Sequence, residues 1–282
     1  MNPVLRPDLI TDVRELIQYP FMVSALEAGT IVAVLAALAG WFVVLRRQAF
    51  AGHTLSVMAF PGAAGATLAG LPAALGYYVA CAAAALVLAV PGTAPRRRGG
   101  GSQETALVGT VQTVGLAAGF LFLSLNAGLL GSPETLLFGS FLGITRREVL
   151  TLLGVGVIVL GALAAVGRPL LFASVDRDGA RAGGVPIRAL DLTFLLVLAL
   201  AVAATSQITG ALLSFALLVA PPAAASHLVR APGRALLLSV AFGLITVWLA
   251  LALAYFTVYP VGFYATTISS LIYVAARLLK RS

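Results

Sequence analysis

The charged residues of this chain are few and clustered, and this pattern constrains its fold more than any other feature. In 282 residues, Lys and Arg number 18 and Asp and Glu number 10. The stretches between the clusters are almost uncharged and apolar, and they include 22–45, 105–125, 149–167, 211–229 and 235–257. An α-helix needs about 20 apolar residues to cross a bilayer core. One such stretch could be a signal peptide, but a series of them predicts a polytopic membrane protein.

The composition indicates which secondary structure spans the membrane. Hydrophobic residues make up 60% of the chain and the mean hydropathy is +1.03. Backbone groups in lipid must be hydrogen-bonded internally, and the stretches lack the apolar–polar alternation of a barrel strand. We therefore predict an all-α transmembrane bundle of about eight to nine spans plus one short or re-entrant helix. It forms a single transmembrane domain over 1–282, with 1–20 as an N-terminal surface segment.

The positive charges predict the orientation of the bundle. The spans are expected near 22–45, 54–71, 73–90, 105–125, 149–167, 192–208, 211–229, 235–257 and 261–277. Strict alternation then places most cations on one side of the membrane: Arg46, Arg47, Arg96, Arg97, Arg98, Arg168, Arg177, Arg181, Arg188, Arg230, Arg234, Arg277, Lys280 and Arg281. Cytoplasmic loops carry an excess of Lys and Arg. The C-terminus is therefore predicted to be cytoplasmic and the N-terminal segment external.

Two features depart from a simple series of straight spans. The segment 132–147 contains an apolar run too short to cross, so we expect a short or re-entrant helix in the outer half of the bundle. Pro61, followed by Gly62, and the pair Pro221 and Pro222 lie inside apolar spans. Because proline removes a backbone donor and kinks a helix, we expect both spans to be broken.

The polar loop 173–189 is expected to hold a helix of one to two turns on the cytoplasmic face. Asp176 or Asp178 could cap its N-terminus, and Gly183 and Gly184 followed by Pro186 would end it. The residues alone leave two interpretations open. The loop is either an ordinary solvated connector or a docking element for a partner that moves the membrane helices.

Four segments carry a family resemblance. They are LRRQAFAGHTLSVMAFPGAAGA at 45–66, LLFGSFLGITRREVL at 136–150, DRDGARAGGVP at 176–186 and ITGALLSFALLVAPPAAASHL at 208–228. Together they resemble the permease subunit of metal-ion ABC transporters, the family for zinc, manganese and iron uptake. The match runs in order from about residue 22 to residue 276, which makes it more specific than any single motif.

This resemblance implies a permease in the cell membrane of a prokaryote, with a divalent transition metal, zinc or manganese, as its cargo. It also implies a cytoplasmic ATP-binding subunit, an external substrate-binding protein and a second permease, identical or related. The ATPase would dock on the coupling helix, where Asp176, Asp178, Ala180 and Gly184 occupy matching positions. The chain has no Walker motif, so ATP is expected on the partner, with no enzymatic activity and no cofactor here. The net charge of +8 lies at span ends, so no nucleic-acid partner is expected.

The chain also departs from the family pattern at positions that usually carry ligands. His53 stands at an acidic position, Val57 at a histidine position, and Ser140 and Val258 at two further acidic positions. Transition metals favour imidazole, carboxylate and thiolate ligands. These substitutions weaken the prediction of a metal cargo without weakening that of a permease.

A few polar residues are candidates for the translocation path, because ionisable groups at membrane depth are costly. Glu27 either faces the path or lies at the outer interface. His53 is either a metal ligand at the exit of the path or a capping or solvated residue. Glu104 and Ser140 are further path candidates, Glu104 also being explicable as an interfacial charge. Asp191 near the start of a later helix most simply favours the helix dipole.

Other classes of function fit the sequence less well. An intramembrane enzyme would need paired carboxylates or a histidine constellation, but the two histidines are far apart and no span holds two acids. A secondary transporter would be expected to carry charge pairs at mid-membrane, in which this chain is poor. The secondary transporter and an ABC permease for a non-metal cargo remain the alternatives.

Overall fold

A computed structural model describes residues 18–89, 101–126, 136, 137, 139, 143–257 and 259–280. All regular structure in these residues is helical. The helices in chain order are α1 (Pro20–Leu45), α2 (Ala49–Leu68), α3 (Ala73–Ala89), α4 (Gly101–Leu125), α5 (Arg146–Val175), α6 (Arg177–Ala182), α7 (Ile187–Thr209), α8 (Ala211–Leu228), α9 (Pro232–Phe256) and α10 (Val261–Leu279). The predicted all-α class is confirmed.

The number of helices able to cross a membrane is smaller than the predicted eight to nine. Within the described residues, 6 helices are long and apolar enough, namely α1, α4 from Val108, α5, α7, α9 and α10. The apolar helix α3 and the apolar part of α8 are shorter. A helix of 17 residues such as α3 falls below the roughly 20 that a bilayer core requires. The predicted spans 73–90 and 211–229 agree with these two helices within one residue, so the difference concerns their length and not their position.

Two helices form the centre of the bundle. In the most apolar 18-residue stretch of each helix, 67% of the residues of α1 and 61% of those of α7 are buried. The corresponding shares are 22% for α4 and α10 and 28% for α5. Helix α1 packs against α5, α7, α8 and α9, and α7 packs against α1, α2, α3, α5 and α8. The outer helices expose large apolar side chains such as Val114, Val157 and Leu271. Such a surface is stable where lipid, not water, is the solvent.

The predicted breaks at the prolines are wrong. Helix α2 runs through Pro61, and helix α8 runs through Pro221 and Pro222. Each proline removes one donor from the helix, but a transmembrane helix tolerates this when neighbouring helices satisfy or cover the freed carbonyl. Proline identity alone does not reveal whether such a neighbour is present.

One freed carbonyl shows how α8 is covered. Pro222 has no N–H to donate to the carbonyl of Leu218 four residues earlier. That carbonyl lies against Gly40 of α1, so close that a Cβ at residue 40 would stand 1.8 Å from the Leu218 oxygen. A Cα–H group can donate weakly to a carbonyl at such a crossing. Glycine at position 40 is therefore what allows α1 and α8 to meet through their backbones.

Helices α7 and α8 form a tight hairpin around Gly210. The hydroxyl of Ser206 donates to the hydroxyl of Ser214 at 3.0 Å, although eight residues of continuous helix would rise about 12 Å. Gly210 has φ +81°, and a Cβ there would lie 2.3 Å from the carbonyl oxygen of Leu137. Gly139 has φ +76°, and a Cβ there would lie 2.1 Å from the carbonyl oxygen of Ile208. Part of the segment 132–147 therefore packs on this hairpin; residues 132–135, 138 and 140–142 lie outside the described residues.

The Gly40 contact yields a first prediction. Gly40→Ala should destabilise the protein by about 1–3 kcal/mol, because a methyl group cannot fit against the Leu218 carbonyl without moving α8. The measurement is unfolding of the purified protein in detergent. Gly161→Ala in α5 is the matched control, since nothing lies within 4 Å of a Cβ there. Equal stability of the two variants would contradict the close α1–α8 crossing.

Candidate coupling and translocation sites

The short helix predicted in the loop 173–189 is present as α6. Asp176 is its N-cap, and its side chain accepts a hydrogen bond from the N–H of Gly179 at 2.9 Å. The helix ends at Gly183, and Gly184 has φ +82°, a conformation that glycine adopts at low cost. The local signals of cap and terminator therefore predicted this element correctly, and Asp176, not Asp178, is the cap.

The two faces of α6 differ. Ala180 is fully buried, so it packs the helix onto the bundle and is not presented to a partner. Asp178 and Arg181 are exposed on the outer side. The carbonyl of Ala180 also accepts from the N–H of Val185 at 3.0 Å, which folds the chain back toward α7. Helix α6 thus buries Ala180 against the bundle and exposes the charged side chains of Asp178 and Arg181.

An ion-pair network joins α6 to the ends of two long helices. Asp191, in the second turn of α7, accepts from Arg46 at the end of α1 through Oδ1. Its other oxygen, Oδ2, accepts from Arg177, the first residue of α6, at 2.6 Å. Sequence reasoning assigned Asp191 to the dipole of its own helix and missed both partners. They are distant in sequence, and only the tertiary fold brings them together.

Arg46 is held on several sides. Its side chain is only 4% exposed, Nε donates to Gln48 at 3.3 Å, and Cζ lies 5.1 Å from the centroid of the Phe194 ring. Burial lowers the pKa of Arg46, and the adjacent carboxylate of Asp191 acts in the opposite direction. An arginine stays charged in proteins. The buried cation therefore depends on Asp191 for its compensation.

Glu27 lies at the opposite end of α1 and forms an ion pair with Arg146, the first residue of α5. Both side chains are partly exposed, Glu27 by 39% and Arg146 by 68%. The pair borders a largely apolar groove of about 550 Å³ between α1 and α5, lined by Val23, Leu26, Glu27, Thr30, Ile31, Arg146, Val149, Leu150 and Leu153. This position fits the interfacial alternative for Glu27, and its role in a translocation path stays a prediction.

His53 lies in α2, and it does not cap that helix because Gln48 is the N-cap. The residue is half-buried, and its ring meets Phe215 of α8 at a centroid distance of 4.8 Å and an angle of 62°. Nδ1 is buried and has no hydrogen-bond partner among the described residues. Nδ1 is therefore not used to hold the ring in place, and the role of His53 as a metal ligand stays a prediction.

The remaining candidates add little to this site. The backbone of Glu104 belongs to α4, but its side chain is outside what the structure describes, as are Ser140 and Val258. Among the described residues, no three His, Cys, Asp or Glu side chains come together as a group that could hold a metal ion. The roles of Glu104 and Ser140 in the path stay predictions.

The fold and its short connecting helix define a multi-pass membrane protein. The sequence pattern of the ABC 3 transport family matches residues 18–280, and the chain belongs to this family. It is 28% identical over 244 residues to the manganese transport system membrane protein MntC of Halalkalibacterium halodurans, covering 86% of this chain and 81% of that protein. It is also 28% identical over 258 residues to the chelated iron transport system membrane protein YfeC of Yersinia pestis, covering 92% and 86% respectively.

A solved structure agrees on the fold. The chain superimposes on a chain of PsaBC from Streptococcus pneumoniae, solved in complex with Fab, with a TM-score of 0.84 over 95% of both chains at 23% identity. The family resemblance read from the sequence is therefore confirmed, and the chain is a transport subunit of the ABC class. The secondary-transporter alternative is not favoured.

The Asp191 network yields a second prediction. Asp191→Asn should lower the free energy of unfolding by about 3 kcal/mol, because it leaves Arg46 buried without a compensating charge. Asp178→Asn removes an exposed carboxylate from α6 and serves as the control, with little expected change. Thermal unfolding of both variants in detergent is the measurement. A wild-type melting temperature for Asp191→Asn would show that the buried arginine does not require this partner.

Proposed function

We propose that this chain is the membrane-spanning permease of an importer for a divalent transition-metal ion, with manganese or zinc as the first candidates. A separate cytoplasmic ATP-binding subunit drives it, and an external substrate-binding protein delivers the ion. Family membership over 18–280 is the observation that carries this proposal. The names of the relatives, which refer to manganese and chelated iron transport, support a metal as the cargo.

The ligand-poor interior is compatible with this role. A permeating ion must leave as readily as it enters, so a few weak ligands suffice and a closed tetrahedral site would trap it. In the described part of the chain, His53 provides one imidazole with an unpartnered buried nitrogen. Imidazole suits zinc and iron, whereas manganese favours oxygen ligands. The missing family ligands therefore reduce the choice of candidate residues without excluding a metal cargo.

The two ion-pair sites support the orientation that we propose. Arg46 and Arg177 meet at Asp191, so the end of α1, helix α6 and the start of α7 lie at one end of the bundle. Alternation of the spans assigns this end to the cytoplasm on the basis of its many arginines. Glu27 and Arg146 meet at the other end, which would then face outward. With all nine spans predicted from the sequence crossing, the short α3 and α8 included, the C-terminus is cytoplasmic as well.

The proposed complex contains two permease chains, either two copies of this one or this one with a related chain. The outer helices α4 and α10 bury the smallest share of their apolar windows, so each has an apolar face available for lipid or for a second permease. Helix α6 is the proposed docking element for the ATPase. Its exposed Asp178 and Arg181 are the side chains that a partner would meet first.

The cargo is tested by reconstituting the permease with its ATPase and binding protein in proteoliposomes. ATP-dependent uptake of Mn²⁺, Zn²⁺ and Fe²⁺ is measured for the wild type, His53→Ala and His53→Phe. If His53 is a ligand, both variants should slow uptake several-fold while the ATPase remains bound. If His53 only packs on Phe215, the phenylalanine variant should retain uptake, because it keeps the ring contact. Absence of uptake for all three ions by the wild type would exclude the metal cargo.

The docking role of α6 is tested by two substitutions that leave its buried alanine intact. Arg181→Glu reverses an exposed charge, and Gly184→Val forces a β-branched residue into a positive φ, which is strained. Both should reduce the amount of ATPase that co-purifies in mild detergent. Arg147→Glu is the control, because Arg147 is at the far end of the 30-residue helix α5. Undiminished co-purification of both variants would move the docking site away from α6.

A further inference from the structure

The Asp191 network connects the proposed docking helix to the centre of the bundle. Asp191 uses one carboxylate oxygen for Arg177 of α6 and the other for Arg46 at the end of α1. Each of the three residues belongs to a different helical segment. The network is therefore a continuous polar link of three side chains between elements that are separated in sequence.

The Arg177–Asp191 pair at the α6 end of this link is the weaker of the two ion pairs. Arg177 is 47% exposed, and partly exposed ion pairs contribute little stability. The chain between α6 and α7 passes through Gly184 at positive φ, where the backbone is least restricted by a side chain. A partner that moves α6 relative to α7 therefore has to stretch or carry along the Arg177–Asp191 pair.

At the α1 end of the link, Arg46 is packed so tightly against α7 that it moves only together with its neighbours. Arg46 is almost completely buried, and its contacts with Gln48 and the Phe194 ring restrict its movement. Phe194 in turn packs edge-on against Phe42 of α1, with ring centroids 6.3 Å apart. Arg46 is the C-cap of α1, and only two residues separate it from the start of α2. A displacement of Arg46 therefore reaches the turn that positions α2 and His53.

From this arrangement we propose that Asp191 is a positioning residue that transmits movement of α6 to the turn between α1 and α2. The inference rests on the proposed function, since it assigns a mechanical route to the coupling between ATPase and permease. The buried Arg46 acts as the anchor and the half-exposed Arg177 as the sensor. Asp191 neither touches the cargo nor contacts the ATPase in this scheme.

The decisive variant is Arg177→Gln, because it cuts the link at its exposed end and leaves the Arg46–Asp191 pair intact. In proteoliposomes the number of ions transported per ATP hydrolysed should fall several-fold, because movement of α6 would no longer act on Asp191. The melting temperature and the amount of co-purified ATPase should stay at wild-type values. Arg177→Lys keeps the charge and should restore most of the ratio. Arg168→Gln removes an exposed arginine from α5 and is the matched control.

A second variant tests whether the two ion pairs act in series. Arg46→Gln cuts the link at the buried end, and the double variant Arg46→Gln/Arg177→Gln cuts it at both. Two contacts in series predict that the double variant transports no fewer ions per ATP than the worse single variant. Multiplicative losses would show that the two arginines act independently and would overturn the proposal. Loss of ATPase binding by Arg177→Gln would also overturn it, because Arg177 would then be a docking residue.

These outcomes are distinguishable from a failure of the proposed function. If the wild-type complex hydrolyses ATP without transporting any metal ion, or binds no ATPase, the permease proposal fails before the variants are compared. If the wild type transports and Arg177→Gln has the wild-type ratio of ions to ATP, the permease proposal stands and the transmission route through Asp191 is wrong.

Discussion

The architecture depends on one constraint, that a backbone polar group in hydrocarbon must be hydrogen-bonded or covered. Most of the chain meets it by forming helices. At Pro222 the helix cannot do so, and the freed carbonyl of Leu218 is covered by the glycine backbone of α1. At Gly210 the chain reverses within one residue, and the backbone of Leu137 and Gly139 packs directly on the turn. Irregular backbone is thus found where another segment shields it.

The charged side chains are also placed where their burial costs least. In the described part of the chain the three ion pairs lie near helix ends: Glu27–Arg146 toward the start of α1, and the two pairs of Asp191 at its end. The central helices α1 and α7 both contribute to the network around Asp191. A charge pair at a helix end is cheaper than one at mid-membrane. Among the described residues, the interior polar groups are therefore mostly uncharged, such as the hydroxyl of Ser206, the amide of Gln207 and the ring of His53. Such an interior offers little to retain a charged cargo.

Sequence reasoning succeeded where the signal is local. The apolar stretches gave the long helices, and the Asp–Gly–Pro pattern gave α6 with its cap at Asp176. It failed where the outcome depends on neighbours. Pro61 was expected to break a helix that in fact continues, because a single residue does not reveal what covers its freed carbonyl. The partners of Asp191 and Glu27 were missed for the same reason, since pairing across helices leaves no local pattern.

The small size of α6 has a consequence for how such complexes are assembled. Six residues rise about 9 Å, roughly one and a half turns, and one of the six faces inward. In the proposed complex the permease therefore offers the ATPase a contact defined by very few outward side chains. Substitutions at those few positions would alter the contact directly. The pairing of permease and ATPase can thus change during evolution through substitutions outside the long membrane helices.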